Sequence, residues 1–579
     1  MSDGPQDHTP DMPAEPGPAE AGAPEPASVD APPVDAPPVD APPVDAPTKK
    51  GRRVALVVGI VVIVLAGAVG AGAFLLLRGA PESVLDKVPA SADVVFVAHL
   101  DPAASQKMNL FRMAEKFPAL GSEEELRQKL NDALDSVLAD TGMTHADLAW
   151  VGGEAGGYVD VGAGTPSFAI MVATDDEAAA NAAMQRMRDA SHADYTTTTI
   201  DGIEVAVPAS SDQPAMALVD GVAVIASDES AMRSVIATDT GADSIESDPV
   251  FQGVSDRMPE DNLGFVFVNV QQLLDLASLI PGAAEGLQGS VEQLAAAQGL
   301  GFAVTAGSDG IALDAVTTTD PSKLTQAQRD ALVASDGANE TLALVPPDAY
   351  AVMAVQGVAS GLETSVGQMA QLDPATARMI EKLHLIGPKG LLGLLSGDLG
   401  VQVGPGSGLL PVGGTVLIGT NDGEAAQAWL DTHLGKMLYG IVPGFPTSTK
   451  TEEYNGVTIT YADDLLSGVS FAYGVVNDAV VIGASVKSVE EAVDLAQNGG
   501  GITTDADYAA ATDGLPGTES LVYVDVQGIL TAVQNILPGQ AYQDFLAQGG
   551  ENLQPVTVVV AGSESDEQGS SSRFLIGIP

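Results

Sequence analysis

The sequence repeats itself, and this duplication constrains the fold more than any other feature. A Pro-led opening at Val88-Pro89, followed by an apolar run, returns at Val345-Pro346. Four further pairs of matching segments follow in the same order, beginning at Phe168 and Val416, Ile200 and Tyr454, Ala217 and Ala472, and Met258 and Leu515. Five landmarks in one fixed order indicate an internal repeat, because self-similarity at a long period is the signature of duplicated architectures.

Short turns predict how the strands of each repeat are connected. Asp201-Gly202 and Asn455-Gly456 separate apolar runs and have the composition of two-residue hairpin turns with positive φ. Strands joined by such turns pair antiparallel, whereas parallel strands need long crossovers. The sequence therefore predicts an α+β fold of two tandem similar halves, each of mainly antiparallel sheets with helices packed on one face. We place the repeats at residues 80–322 and 342–579, with a linker at 323–341.

One apolar stretch, Val54 to Leu77, has no charged residue and no proline. Its length suits one transmembrane helix placed before the repeats, and a cleaved signal peptide would begin earlier and be shorter. The basic flank on its N-terminal side consists of Lys49, Lys50, Arg52 and Arg53, which predicts a cytoplasmic N-terminus and extracytoplasmic repeats at the cell membrane. Small residues at Ala66 and Gly70, and at Ala68 and Gly72, leave weak homo-association through this helix open.

Residues 1–53 are rich in Pro, Ala and Asp and contain a repeated V-D-A-P-P unit. Proline fixes φ and the acidic side chains repel one another, so this tail is predicted to be a disordered, extended spacer. The formal net charge of the whole chain is −53. Such a surface repels phosphate, so nucleic acid is not an expected partner.

The chain lacks the residues and spacings of the familiar enzyme classes. It has no cysteine, which excludes disulfides and thiol chemistry. Its six histidines show no HxH, HxxxH or HExxH spacing, and no GxSxG elbow, SxxK motif or phosphate-binding loop occurs. We therefore assign no catalytic, cofactor-binding or metal-binding residue and expect no cofactor. His99, at the end of a predicted strand, is interpreted as a structural residue.

Four spacings fit helix-opening capping boxes rather than catalytic carboxylates. They are Ser122 to Glu125, Thr174 to Glu177, Ser290 to Gln293 and Ser488 to Glu491.

Several segments resemble a known family. These are Val88 to Pro102, Phe111 to Pro118, Leu148 to Gly153 and Asp248 to Asn269. Over most of residues 80–579 the chain resembles the bacterial domain-of-unknown-function family 3352. The resemblance implies a membrane-anchored envelope protein of the kind found in high-GC Gram-positive bacteria, and it supplies no active-site residues.

Three hypotheses for function follow. The first is a single-pass, non-enzymatic binding or scaffold module of the bacterial envelope, held in the lipid bilayer by residues 54–77 and able to contact another envelope protein. The second is a carrier of an apolar or lipid-like ligand, in a cavity lined by Leu110, Phe111, Met113 and Phe117. The third is a hydrolase with a non-standard site, which would need acids or histidines brought together from distant parts of the chain.

Overall fold

The computed structural model describes most of the chain from residue 83 onward. The described residues are 83–121, 123–138, 143–162, 166–272, 274, 295–334, 338–359, 366, 374–382, 385–386, 390–406, 411–434, 449–466, 469–537 and 539–579. They all belong to one compact unit, Gly59–Pro579.

Each repeat contributes ten strands to the described structure. Those of the first repeat are β1 (Val94–His99), β2 (Val151–Asp160), β3 (Ser167–Thr174), β4 (Tyr195–Ile200), β5 (Ile203–Pro208), β6 (Ala215–Val219), β7 (Val222–Ala226), β8 (Gly264–Asn269), β9 (Ala297–Ala306) and β10 (Gly310–Thr319). Those of the second are β11 (Ala351–Val355), β12 (Leu395–Pro405), β13 (Val412–Thr420), β14 (Lys450–Tyr454), β15 (Val457–Leu466), β16 (Val469–Val476), β17 (Ala479–Gly483), β18 (Ser520–Asp525), β19 (Val558–Asp566) and β20 (Gly569–Gly577).

The two sets of strands have the same pairing pattern. In the first repeat the spatial order is β4-β5-β6-β7-β3-β2-β1-β8-β9-β10. In the second it is β14-β15-β16-β17-β13-β12-β11-β18-β19-β20. The last strands, β10 and β20, pair with each other, so the described strands form one 20-stranded antiparallel sheet.

The helices connect these strands. They are α1 (Ala104–Ala114), α2 (Glu123–Leu138), α3 (Glu177–Ser191), α4 (Glu229–Asp239), α5 (Pro249–Ser255), α6 (Gln326–Ala334), α7 (Pro374–Lys382), α8 (Leu391–Leu394), α9 (Gly423–Trp429), α10 (Val486–Asn498), α11 (Ala506–Thr512), α12 (Val526–Ile536) and α13 (Gln540–Ala547). The α6 helix lies within the predicted linker.

Helices cover both faces of the sheet. Neighbouring residues of β3 show this, because Met171 belongs to a cluster that includes α4, while Val172 packs against a cluster that includes α3. In the second repeat Leu417 lies in the cluster of α10, and the adjacent Ile418 packs in that of α9. Successive side chains of a strand point to opposite faces, so burial on both sides requires a layer on each.

The predicted fold class is therefore wrong. The repeats do not have separate sheets, because the β10–β20 pairing continues one sheet through both. Helices are not confined to one face. The predicted initial transmembrane helix is also corrected: among the described helices, none is both long and apolar enough to cross a membrane. The predicted span from Val54 to Leu77, its flank Lys49, Lys50, Arg52 and Arg53, and the tail all lie outside the described residues.

The predicted hairpin turns have the expected backbone. Asp201 and Gly202 have φ of 45° and 90°, and Asn455 and Gly456 have φ of 49° and 86°. These values fit two-residue turns that match the twist of the flanking strands.

Two predicted helix starts are displaced. Asp176 is the N-cap of α3, with its carboxylate accepting a hydrogen bond from Ala179 N, so Thr174 is not the cap. Ser485 caps α10, three residues before the predicted Ser488. In both cases a nearby side chain satisfies the exposed N–H groups of the first turn. Ser122 and Ser290 lie outside the described residues.

Candidate functional site

A cavity of about 1160 Å³ opens in the second repeat. It lies where the 3-10 turn Glu340–Leu344 meets the beginning of β12, the end of β13 and the turn between β16 and β17. The last turn of α10 and the loop that follows it complete the wall. Its volume is slightly above the usual range for small-molecule sites, about 300–1,000 Å³.

Three consecutive glycines shape one side of this cavity. Gly499 and Gly500 have φ of 70° and 89°, in the region that favours glycine. A Cβ on Gly501 would lie 2.3 Å from the carbonyl oxygen of Ala343. The run therefore turns the chain sharply after α10 and brings its backbone against the 3-10 turn.

Threonine and aspartate side chains fix another part of the wall. Thr420 Oγ1 donates a hydrogen bond to the carbonyl of Leu394 at 2.8 Å and accepts one from Asp422 N at 3.2 Å. Asp422 then caps α9 by accepting from Ala425 N. These bonds hold the end of β13 against the chain that enters β12.

The cavity carries negative charge. Glu340, Asp398 and Asp478 line it, together with amide and hydroxyl side chains such as Asn421, and none of the described residues that line it is Lys, Arg or His. Asp398 Oδ2 accepts a hydrogen bond from Glu340 N at 3.2 Å. Burial raises the pKa of the Asp398 carboxyl above its ordinary 3.8; the Glu340 N–H opposes this shift, and the Glu340 charge adds to it. The site is thus suited to a cation with several hydrogen-bond donors.

The first repeat has a different set of side chains at the equivalent positions. The strand register shows which positions correspond. In the first repeat His99 of β1 lies opposite Glu154 of β2. In the second repeat, one step beyond the last β11–β12 pair, Gln356 lies opposite Asp398. The loops align through matching bonds from Ile245 N to Val88 O and from Ile502 N to Val345 O. The equivalent pairs, first repeat first, are Asp86 and Ala343, Lys87 and Leu344, His99 and Gln356, Glu154 and Asp398, Asp239 and Ala496, and Glu246 and Thr503.

These side chains bond to one another in the first repeat. Lys87 Nζ lies 3.1 Å from Asp239 Oδ1, with side chains 5% and 14% exposed. Glu154 accepts a hydrogen bond from Val84 N at 2.8 Å, and its other oxygen lies 3.6 Å from His99 Nδ1. The Lys87–Asp239 ion pair therefore occupies the positions where the second repeat has Leu344 and Ala496 beside open space.

A further acid completes this network. Burial raises the pKa of Glu246, and a hydrogen bond with Asp86 and the charges of Asp86 and Glu154 add to the shift. Within the described residues, no group of three or more His, Asp or Glu side chains is arranged to hold a metal ion.

The apolar residues suggested for a carrier lie elsewhere. Leu110, Met113 and Phe117 pack in a hydrophobic cluster with α12 and with the ends of β9, β10, β19 and β20. Neither they nor Phe111 line the acidic cavity. They join the two repeats instead.

Trp150 and His99, the histidine interpreted as structural, both lie in packed surroundings. Trp150 is 5% exposed and lies in the cluster of α3. His99 ends β1 and is partly buried, with its ring 6.5 Å from that of Phe265.

Sequence reasoning missed the acidic cavity. The available signal was the contrast between the repeats, because four charged residues of the first repeat (Asp86, Lys87, Asp239 and Glu246) become Ala, Leu, Ala and Thr in the second. The Gly499–Gly501 run was a second signal.

Comparisons with known proteins identify a family but no activity. A family model described as "Protein of unknown function (DUF3352)" matches residues 58–439 and 415–570. No curated protein is significantly similar to the chain. Two solved structures, titled as crystal forms III and I of TP0453, are 11% and 12% identical, with TM-scores of 0.24 and 0.23. Each match covers 42% of this chain and 83% or 82% of the other, and a likeness this weak carries no argument.

Proposed function

The chain belongs to this family of unknown function, and we propose that it is a non-enzymatic binding protein of the bacterial envelope whose second repeat binds a polyamine-like cation. The observation that carries the proposal is the cavity of about 1160 Å³, lined by Glu340, Asp398 and Asp478 and, in the part of the chain that the structure describes, by no basic side chain.

The charge pattern supports a cationic ligand. Three carboxylates line the recess, and Asp398 among them is partly buried. A concave surface lined by charges of one sign concentrates their potential. The Coulomb attraction of an ion pair 4 Å apart is about 1 kcal/mol in water and about 4 kcal/mol near a protein surface, before desolvation is counted, so a ligand with several charges gains more here than one with a single charge. The net charge of −53 further favours the approach of cations.

The same cavity argues against the apolar-ligand alternative. Its walls include the exposed carboxylates of Glu340 and Asp478, which would lose water if an apolar molecule filled the space.

Titration calorimetry with spermidine tests the proposal. The full-length protein should bind one equivalent at physiological salt, and N-acetylated spermidine, which has one charge fewer, should bind more weakly. Asp398→Asn should weaken binding about tenfold, because a hydrogen bond to a charged group contributes about 1.5–3 kcal/mol.

Glu154→Gln is the matched control, since Glu154 occupies the equivalent position in the first repeat and is already bonded to Val84 N. It should leave the affinity within about twofold of the unmodified protein. Equal losses in both variants would indicate diffuse surface attraction, and no binding of either cation would refute the proposal.

Cell-membrane localisation with a cytoplasmic N-terminus stays a sequence-based prediction, which we include in the proposal. Protease added to intact cells should digest a tag at the C-terminus and spare one at the N-terminus; the opposite pattern would contradict it.

A further inference from the structure

The junction between the repeats is symmetric. β10 and β20 are the corresponding last strands of the two repeats, and they pair antiparallel from Gly310 opposite Gly577 to Thr318 opposite Gly569. Both strands begin with a glycine, Gly310 with φ of 153° and Gly569 with φ of 152°. The junction therefore pairs a strand with its own counterpart.

Backbone bonds just outside the paired positions repeat this symmetry. Thr319 N donates to Gln568 O at 2.8 Å, and Ile578 N donates to Asp309 O at the same distance. Thr319 and Ile578 come directly after the last paired positions, Thr318 and Gly577, and Asp309 and Gln568 come directly before the first ones, Gly310 and Gly569. A local two-fold axis relates the two bonds.

The glycines show that both sides meet the same steric demand. A Cβ on Gly310 would lie 2.0 Å from Ile576 O, and a Cβ on Gly569 would lie 1.9 Å from Thr317 O. No side chain fits at these distances, so each strand needs glycine at the same place. This is the geometry of a two-fold interface between two copies of one unit.

The side chains on the axis break the symmetry. Asp314 lies directly opposite Arg573, and these two residues correspond to each other in the two strands. Arg573 Nε donates to Asp314 Oδ1 at 2.7 Å, and Nη1 donates to Gly514 O at 2.9 Å. The side chains are 10% and 30% exposed, for Asp and Arg respectively.

We propose that this junction is a partner-selecting interface, at which the β10 edge of a first repeat accepts the β20 edge of a second repeat and rejects another β10. In a pairing of two like edges the axis residue would face itself, which places two carboxylates or two guanidinium groups in contact. Like charges directly opposite each other destabilise a strand pair. An unlike pairing joins opposite charges in a partly buried site, where they attract strongly.

The selection has a use for a sheet of this kind. Unpaired strand edges invite pairing between chains, and β10 and β20 would be such edges if the repeats separated. Opposite charges on the axis direct each edge to its partner within the chain.

Charge reversal in the full-length protein tests the inference. Asp314→Arg and Arg573→Asp should each lower the thermal midpoint by about 3 °C or more, since each places like charges on the axis. The double reversal should recover at least half of the summed loss. Arg257→Asp with Asp566→Arg is the control, because that pair also crosses the junction but its carboxylate side chain is 62% exposed, against 10% for Asp314; its single changes should shift the midpoint by less than about 1 °C.

Losses that simply add in the double reversal would overturn the inference, as would single reversals that leave the midpoint unchanged. If a reversed variant yields no soluble protein, Asp314→Ala, Arg573→Ala and their combination give the same comparison. The combination should then lose clearly less than the sum of the single variants, and additive losses would again overturn the inference.

Discussion

Replacing Lys87 by Leu is expected to destabilise the first repeat strongly. The Lys87 ammonium lies 3.1 Å from Asp239, and the two side chains are 5% and 14% exposed. Leucine would leave the Asp239 carboxylate buried without its counter-charge. Breaking a buried pair from one side costs about 3–5 kcal/mol, because the remaining charge has lost its water and gained no partner.

The second repeat supplies the matching rescue. There the equivalent positions hold Leu344 and Ala496, so the fold accepts an apolar pair at this place. The double variant Lys87→Leu with Asp239→Ala should therefore lie within about 1 kcal/mol of the unmodified protein, as replacement of a buried ion pair by apolar residues is often neutral. Because each single change should cost about 3–5 kcal/mol and the double change about 1 kcal/mol or less, the summed single losses should exceed the loss of the double variant by about 5 kcal/mol or more.

Guanidinium denaturation followed by circular dichroism measures these free energies, provided the slope with denaturant is the same in all four proteins. The reasoning is refuted if the double variant loses as much as the two single variants together. It is also refuted if Lys87→Leu alone costs less than about 1 kcal/mol, because that is the range of an exposed ion pair.

Two further predictions concern the cavity and the backbone. Burial raises the pKa of Asp398 above 3.8, so the native state holds this proton more tightly than the unfolded state, and the ionised carboxyl lowers stability as the pH rises through the raised pKa. The thermal midpoint of Asp398→Asn should thus match that of the unmodified protein near pH 3.5 and exceed it at pH 7; a constant difference would contradict this origin. Gly456→Ala, at φ of 86° with no atom within 4 Å of the new Cβ, should cost about 1–2 kcal/mol in urea denaturation. Gly569→Ala should cost about 1–3 kcal/mol more than Gly456→Ala, because its Cβ would lie 1.9 Å from Thr317 O. Equal losses in the two variants would show that β10 and β20 can move apart at this point at little cost.

Local sequence signals predicted the elements better than their assembly. Asp201-Gly202 and Asn455-Gly456 specify their turns within four residues, so the hairpins could be read directly. The start of α10 was misplaced by three residues because both Ser485 and Ser488 are good caps, and only the direction of the entering chain decides which hydroxyl meets the free N–H groups.

The cavity was harder to predict because its walls come from distant segments. Asp398 and Glu340 are 58 positions apart, and the Gly499–Gly501 loop follows much later. Acidic residues are common along the chain, so none of these carboxylates stands out. Only a strand-by-strand alignment of the two repeats shows that the cavity lies at the place where the first repeat has the charged network around Lys87.

The sequence by itself determined the duplication, the antiparallel hairpins and the absence of thiol chemistry, since each depends on residue type or on short-range order. Tertiary structure alone decided that one sheet passes through both repeats and that helices lie on both of its faces. It also decided that an acidic cavity opens in the second repeat. Pairing of β10 with β20 joins strands about 260 residues apart. A local sequence pattern does not specify which strand pairs with which at that distance. Backbone hydrogen bonding makes any two edges compatible, so the choice is made by packing, by the close approach at Gly310 and Gly569, and by the charges of Asp314 and Arg573.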